Sequence, residues 1–130
     1  MTSSTYADTV ERYVRFWNTG QPEEQRRLAA ETFTDDVSYH ALVGVLTGPQ
    51  ALIDFHGQFT ENVGAAVFQR RAEPQLHHDR ARLMWEIELD GGRPFAAGTD
   101  LLVFDPDGRI SSVTTFLDRA PEGFDPHANH

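Results

Sequence analysis

The chain has 130 residues, and its 39% hydrophobic content is enough for one hydrophobic core and hence one domain. Its 11 Lys and Arg residues are outnumbered by 20 Asp and Glu residues, and the formal net charge of -9 argues against nucleic acid or an anionic membrane as a partner. The absence of Cys excludes disulfides and thiolate sites, and the first residues show no signal segment, so we expect a cytoplasmic protein.

Three helices are predicted in the first half of the chain. Residues 4–19 carry one apolar stripe at spacings of three and four, formed by Tyr6, Val10, Tyr13, Val14 and Trp17. Pro22 suits the first turn of a short helix over residues 23–31. A third helix follows Pro49, because apolar side chains and one histidine recur at helical spacing at Leu52, Phe55, His56, Phe59 and Val63. We expect His56 to face solvent or to cap a helix.

The second half of the chain is predicted to form strands. A short strand over residues 37–41 precedes the third helix, and after Gly64 the apolar pattern changes to period two. Turn signals then divide the chain into four strands over residues 66–76, 80–89, 95–104 and 110–118. Helices followed by such strands predict an α+β domain over residues 1–119, with three N-terminal helices packed on a curved antiparallel sheet. Residues 120–130 are predicted to be a flexible tail.

The order of three sequence segments carries a family resemblance. The segments YVRFWNTGQPE, FTDDVSYHALVGVLTGPQAL and FDPDGRISSV together resemble the nuclear transport factor 2-like superfamily and its SnoaL-like branch, over about residues 5–118. The resemblance implies a cystatin-like, cone-shaped α+β barrel whose cavity holds a small apolar molecule, and a homodimer formed through the outer face of the sheet. Isomerases, polyketide cyclases, epoxide hydrolases and noncatalytic binding modules share this fold, so the fold alone does not select a function.

Comparison with ketosteroid isomerase-like members implies the candidate catalytic residues. The segment RYVRFWNTG places Tyr13 at the position of the oxyanion-hole tyrosine, and TDLLVFDPDGRI places Asp100 at the position of the oxyanion-hole acid. The position of the general base holds Ala41, which cannot accept a proton, so the neighbouring His40 becomes the candidate base. Asp100 donates a hydrogen bond only if burial keeps it protonated; an ionised Asp100 would act as a base or orient His40.

Further residues are predicted to surround a substrate. Five aromatic side chains are expected to form the pocket wall, although each also has an ordinary role in a core: Trp17, Phe55, Phe59, Trp85 and Phe116. Asp118, near the end of the last strand, is expected to be a second carboxylate at the cavity mouth.

The leading prediction is an isomerase or cyclase that uses general acid–base chemistry on a ketosteroid-, polyketide- or terpenoid-like substrate, with no metal and no organic cofactor. One alternative is a noncatalytic ligand-binding or dimerisation module of the same fold. Another is an epoxide hydrolase-like enzyme, for which no Arg between two inward acids is evident. The direction of His40 discriminates among these, because a His40 that points away from the cavity leaves the enzyme without its proton acceptor.

Overall fold

The structure is a computed structural model that describes residues 2–42 and 44–121. Its helices are α1 Thr2–Asn18, α2 Pro22–Thr32 and α3 Pro49–Val63. Its strands are β1 Phe33–Ala41, β2 Gly44–Thr47, β3 Ala66–Arg70, β4 Gln75–His77, β5 Arg80–Leu89, β6 Arg93–Phe104 and β7 Ile110–Arg119, with a single 3-10 turn, Asp90–Gly92, between β5 and β6. The predicted α+β fold, with three helices packed on a curved sheet, is confirmed.

The seven strands form one sheet in the order β2-β1-β7-β6-β5-β3, and β4 also pairs with β5. The sheet is mixed rather than wholly antiparallel, because β1 and β7 run parallel while every other pair is antiparallel. A parallel pair needs a long crossover connection, and α3 with the following strands supplies it. The short apolar alternation of β1 predicts a strand but says nothing about its partner.

The strand predicted over residues 66–76 is two strands instead of one. β3 and β4 both pair with β5, and residues 71–74 interrupt them. Pro74 has no N–H to donate to a ladder. The Arg71 side chain replaces part of the lost pairing by donating to the carbonyl oxygens of Trp85 at 2.9 Å and Gly98 at 2.7 Å.

The core lies between α1 and the inner face of the sheet. Val10, Tyr13 and Phe16 on α1 are at most 1% exposed, and they pack with Leu83 and Leu102 of the sheet. In the described part of the chain, no helix combines the length and the apolar character needed to span a membrane. Residues 122–130, most of the predicted flexible tail, lie outside the described residues.

Candidate functional site

An apolar pocket of about 190 Å³ lies between α1, α3 and the inner face of the sheet. Six aromatic residues form most of its wall: Trp17, Tyr39, Phe55, Phe59, Phe68 and Trp85. Leu42 and Leu117 also line it, and both are partly exposed to solvent. The volume is below the roughly 300–1,000 Å³ of pockets for drug-sized molecules, but above the roughly 150 Å³ that holds benzene.

Four of the five predicted wall residues line this pocket, namely Trp17, Phe55, Phe59 and Trp85. The sequence analysis missed Tyr39 and Phe68, which pack against Trp17 with ring centroids 5.9 Å and 6.3 Å away. Period-two alternation in β1 could have identified Tyr39, because it shares a face with the buried Val37.

The prediction that Phe116 belongs to the wall is wrong. Its side chain is 61% exposed, and it is paired with Thr99 on the outer face of the sheet. Its neighbour Thr115 is paired with the buried Asp100 and lines the pocket. Hydrophobicity alone favoured Phe116, but the register of β7 against β6 places the smaller polar residue inside.

The prediction that Asp118 is a carboxylate at the cavity mouth is also wrong. Asp118 forms an ion pair with Arg71 at 2.5 Å and accepts a 2.8 Å hydrogen bond from the Thr99 hydroxyl. The Thr99 hydroxyl and the Arg71 guanidinium lower the pKa of Asp118. Thr115 and Leu117 line the pocket, so strand alternation directs Asp118 to the outer face, where it contacts Thr99.

His40, the predicted catalytic base, does not line the pocket. His40 is exposed, and its β-sheet partners are Val45 on one side and Thr114 on the other. The pairing of β1 with β7 shifts between Phe33 and Ser38, but residues 38–40 pair in register with both neighbouring strands, and the imidazole is not turned inward. Tyr39 and Ala41 line the pocket instead, because strand neighbours alternate between faces.

Tyr13 and Asp100, by contrast, contact each other directly. The Tyr13 hydroxyl donates a 2.5 Å hydrogen bond to Oδ2 of Asp100, and the Trp85 indole N–H donates a 2.7 Å hydrogen bond to Oδ1. Tyr13 is 0% exposed and Asp100 is 1% exposed. These two residues lie behind the pocket wall and are not part of its lining. The Tyr13 hydroxyl points at Asp100 and not into the pocket. A direct role of the pair as an oxyanion hole stays a prediction.

Burial dominates the electrostatics of this buried pair. Desolvation raises the pKa of Asp100 to about 6, while the nearby Thr115 hydroxyl and the hydrogen bonds from Tyr13 and Trp85 oppose the rise by favouring the carboxylate. Desolvation and the adjacent Asp100 charge raise the pKa of Tyr13 well above its ordinary value, so this hydroxyl stays protonated and can donate. Asp100 is thus a buried carboxyl whose charge changes close to neutral pH.

His56 lines the pocket, but both of its ring nitrogens have partners. Nε2 lies 2.9 Å from the carbonyl oxygen of Trp17, and Nδ1 lies 2.8 Å from the side-chain amide nitrogen of Gln25. A carbonyl can only accept, so we assign the proton to Nε2. Burial lowers the pKa of His56 and favours this neutral form. His56 thus caps the last turn of α1, as one of the two sequence interpretations expected, and joins the three helices.

Two positions that the sequence analysis did not select hold the wall in place. Gly98 lies directly opposite Trp85 in the β5–β6 ladder, and a Cβ at this position would overlap the Trp85 ring and lie 2.5 Å from the Phe116 carbonyl oxygen. Asn18 binds both backbone groups of Phe68, donating to its oxygen and accepting from its nitrogen at 2.8 Å each. A Gly inside a strand is a signal of such close approach.

No three His, Asp or Glu side chains of residues 2–42 and 44–121 come together as metal ligands. His77 and His78 have ring centroids 5.6 Å apart on the β4–β5 turn and are not part of such a group.

The sequence model of the SnoaL-like domain family matches residues 10–113 of the chain. The comparison with curated proteins finds no match. Among solved structures, the chain is similar to a candidate isomerase of the SnoaL-like family from Agrobacterium tumefaciens, at 23% identity and a TM-score of 0.82, covering 88% of this chain and 98% of that chain.

Two further solved structures show the same fold. One is a nuclear transport factor 2-like protein of unknown function from an Exiguobacterium species, at 18% identity and a TM-score of 0.68, covering 85% of this chain and 98% of that one. The other is a candidate polyketide cyclase from Sinorhizobium meliloti, at 19% identity and a TM-score of 0.67, covering 84% and 94%.

Proposed function

The chain belongs to the SnoaL-like domain family, and on that basis we propose that it binds a small, largely apolar molecule in the pocket between α1, α3 and the sheet. One observation carries this proposal: about 190 Å³ of space lined mainly by aromatic and aliphatic side chains. Protein interiors are normally packed without such volumes, and concave apolar sites of this kind are where small ligands bind. The aromatic wall favours a flat molecule, because ring faces and edges then meet at contact distance.

A matched pair of variants on β1 tests the proposal. Ala41 lines the pocket, whereas His40 next to it faces outward. Ala41→Phe should fill the site, and His40→Phe places the same side chain on the opposite face. The probe is prodan, a neutral naphthalene ketone whose fluorescence rises in apolar surroundings.

We expect prodan to bind the wild type and His40→Phe equally. Ala41→Phe should weaken binding by about tenfold or more, equivalent to about 1.4 kcal/mol. Equal affinity in all three proteins, or loss only in His40→Phe, would place the bound probe elsewhere and contradict the proposal.

A second candidate function is acid–base conversion of the bound molecule, as an isomerase or cyclase. The observation that favours it is Asp100, a fully buried carboxyl with a pKa raised to about 6 by desolvation. Groups with such perturbed pKa values cluster at catalytic sites. Two relatives of similar fold are a candidate isomerase and a candidate polyketide cyclase. Asp100 does not line the pocket, so proton transfer would require the Thr115 hydroxyl, which lines the pocket close to Asp100, to move into hydrogen-bonding distance of the carboxyl group.

The two candidates differ in what Asp100→Asn does. If the protein is an enzyme, this variant should keep prodan affinity and lose turnover by about 100-fold or more, because the amide cannot take up the proton. Turnover that persists in Asp100→Asn would exclude acid–base conversion through this residue. The epoxide hydrolase alternative receives no support, because the ion pair of Arg71 with Asp118 is not part of the pocket lining.

We also propose that the outer face of the sheet joins two copies of the chain, and that the protein is cytoplasmic. Phe116 is 61% exposed and Val45 is 60% exposed. The register places both on the same face as His40, Thr99 and Thr114. Phe116 and Val45 give this patch an apolar centre, and the Asp118–Arg71 ion pair borders it at Thr99 with opposite charges that offset each other.

Sedimentation equilibrium tests the dimer. Phe116→Asp should convert it to a monomer, since a charge would be buried without a partner. Leu42→Asp changes a similarly exposed side chain, 58% exposed at the pocket, and should leave the dimer intact. A wild type that is monomeric at about 100 μM would contradict the proposal, because dimers with stable apolar interfaces associate well below that concentration.

A further inference from the structure

Two polar atoms at the pocket are buried and meet no hydrogen-bond partner among the residues that the structure describes. They are the indole Nε1 of Trp17 on α1 and the hydroxyl Oγ1 of Thr115 on β7. Both residues line the pocket. Buried polar groups are nearly always satisfied in native proteins, and each exception requires a reason.

Three other polar side chains of the wall, those of Thr60, Trp85 and His56, already have partners. The Thr60 hydroxyl donates to the Gly57 carbonyl oxygen at 3.1 Å, and the Trp85 indole donates to Asp100. Both nitrogens of His56 are engaged by Gln25 and by the Trp17 carbonyl oxygen. Among the described residues of the pocket, the fully buried polar atoms without a partner are therefore those of Trp17 on α1 and Thr115 on β7, and the Tyr39 hydroxyl lies beside Thr115.

Both unpaired atoms lie beside the Tyr13–Asp100 pair. The Trp17 indole is close enough to the Tyr13 hydroxyl to lower the pKa of Tyr13, and the Thr115 hydroxyl lowers the pKa of both Asp100 and Tyr39. None of these approaches has the distance and angle of a hydrogen bond. The two donors thus flank one end of the pocket, where the Tyr39 hydroxyl also lies, and this end is called the inner end below.

The chemistry of these donors selects an acceptor. An indole N–H can only donate, and a hydroxyl can donate at the same time, so a single oxygen with two lone pairs complements both. An anion at this place would meet the charge of Asp100 in a poorly solvated environment, which is unfavourable. The rest of the wall offers contact to apolar surface only.

We infer that the pocket holds a neutral, largely apolar ketone or aldehyde, whose carbonyl oxygen is received at the inner end by the N–H of Trp17 and the hydroxyl of Thr115. This inference rests on the proposed binding function and adds the class and the orientation of the ligand. The resemblance implied that Tyr13 and Asp100 receive the oxygen, but the Tyr13 hydroxyl donates to Asp100. The donors to the ligand oxygen are therefore Trp17 and Thr115, whose polar atoms have no partner among the described residues.

Two naphthalenes of similar size test the inference. The acetyl group of 2-acetylnaphthalene carries the acceptor oxygen. In 2-isopropylnaphthalene a methyl group takes the place of this oxygen, so the acceptor is lost. Calorimetry gives the ratio of the two affinities for the wild type, Thr115→Val and Trp17→Phe. Thr60→Val is the matched control, because it removes a pocket hydroxyl that is already bonded to Gly57.

We expect Thr115→Val and Trp17→Phe each to lower the preference for the ketone about threefold to tenfold, and Thr60→Val to leave it unchanged. A change of cavity volume in Trp17→Phe affects both naphthalenes and so cancels in the ratio. The anion 2-naphthoate should bind more weakly than the ketone.

An unchanged ratio in Thr115→Val and Trp17→Phe, with both naphthalenes still bound, would overturn the inference and leave the binding function standing. Failure of both naphthalenes to bind the wild type would overturn the binding function and the inference together. The donors lie on different elements, so a variant that does not fold, judged by circular dichroism, leaves the other to decide.

Discussion

Tyr13 and Asp100, which are 87 residues apart in sequence, are joined by a 2.5 Å hydrogen bond from the phenol to the carboxyl group. The bond links α1 to the centre of β6 and lies at the closed side of the aromatic wall. Because Trp85 also donates to Asp100, one buried carboxyl group connects α1, β5 and β6. Tyr13, Trp85 and Asp100 are thus coupled, and a change in the charge of Asp100 should alter both of its hydrogen bonds.

The first prediction concerns stability and pH. Burial raises the pKa of Asp100 from 3.8 to about 6, so between these values the folded protein holds a proton that the unfolded chain releases. Relative to Asp100→Asn, the free energy of unfolding of the wild type should therefore fall as pH rises from about 4 to about 6, and stay level above about 7. The difference of the two pKa values corresponds to a fall of about 3 kcal/mol.

The measurement is urea denaturation of both proteins at a series of pH values. Only the difference between them is informative, because His56 has a lowered pKa and contributes with the opposite sign, losing stability as pH falls. A difference that does not depend on pH, or that grows as pH rises, would show that Asp100 does not have a raised pKa.

The second prediction isolates the Tyr13 hydroxyl. Its hydrogen bond favours the ionised form of Asp100, so Tyr13→Phe should raise the pKa of Asp100 further, by about 1 pH unit or more. The indole N–H resonance of Trp85 reports the change, because this proton is bonded to Asp100. Tyr6→Phe is the control, since Tyr6 stacks on Phe104 and has no contact with Asp100 among the described contacts. The same midpoint in wild type and Tyr13→Phe would contradict the coupling.

The third prediction concerns Gly98, which leaves room for the Trp85 ring. Gly98→Ala should destabilise the protein by about 1–3 kcal/mol, because the added methyl overlaps both the indole and a backbone carbonyl that cannot move freely. Gly57→Ala is the matched control: its position in α3 is open, and alanine there should stabilise the helix by about 0.5–1 kcal/mol. Denaturant unfolding measures both changes. Equal stability of Gly98→Ala and wild type would show that the indole can lie elsewhere.

The fold could be predicted from the sequence because its signals are repetitive. The apolar stripe of α1 includes Tyr13 and Trp17, and the alternation of β5 includes Leu83 and Trp85. In each element, several residues therefore indicate the same buried face. The resemblance then placed Tyr13 and Asp100 at positions that do meet in the structure. These are the parts of the site that depend on local pattern or on family position.

The failures at the site concern which face of a strand each side chain occupies. His40, Phe116 and Asp118 were each expected at the pocket, and each lies outside it because of the strand that it pairs with. A single sequence does not contain the register of β1 on β7 or the shift in pairing beside Gly98. The same registers explain why Thr115, an ordinary residue in the sequence, lies next to Asp100 at the pocket.

The most direct test of the central claim is a two-dimensional NMR titration of the protein with 2-acetylnaphthalene. The account predicts that the indole resonances of Trp17 and Trp85 and the backbone amides of Tyr39 and Thr115 move together and saturate, while the amide of His40 on the outer face stays unchanged. Shifts that concentrate around His40 and its outer-face neighbours, with the Trp17 indole unaffected, would contradict the account, because the ligand would then bind to the outside of the sheet.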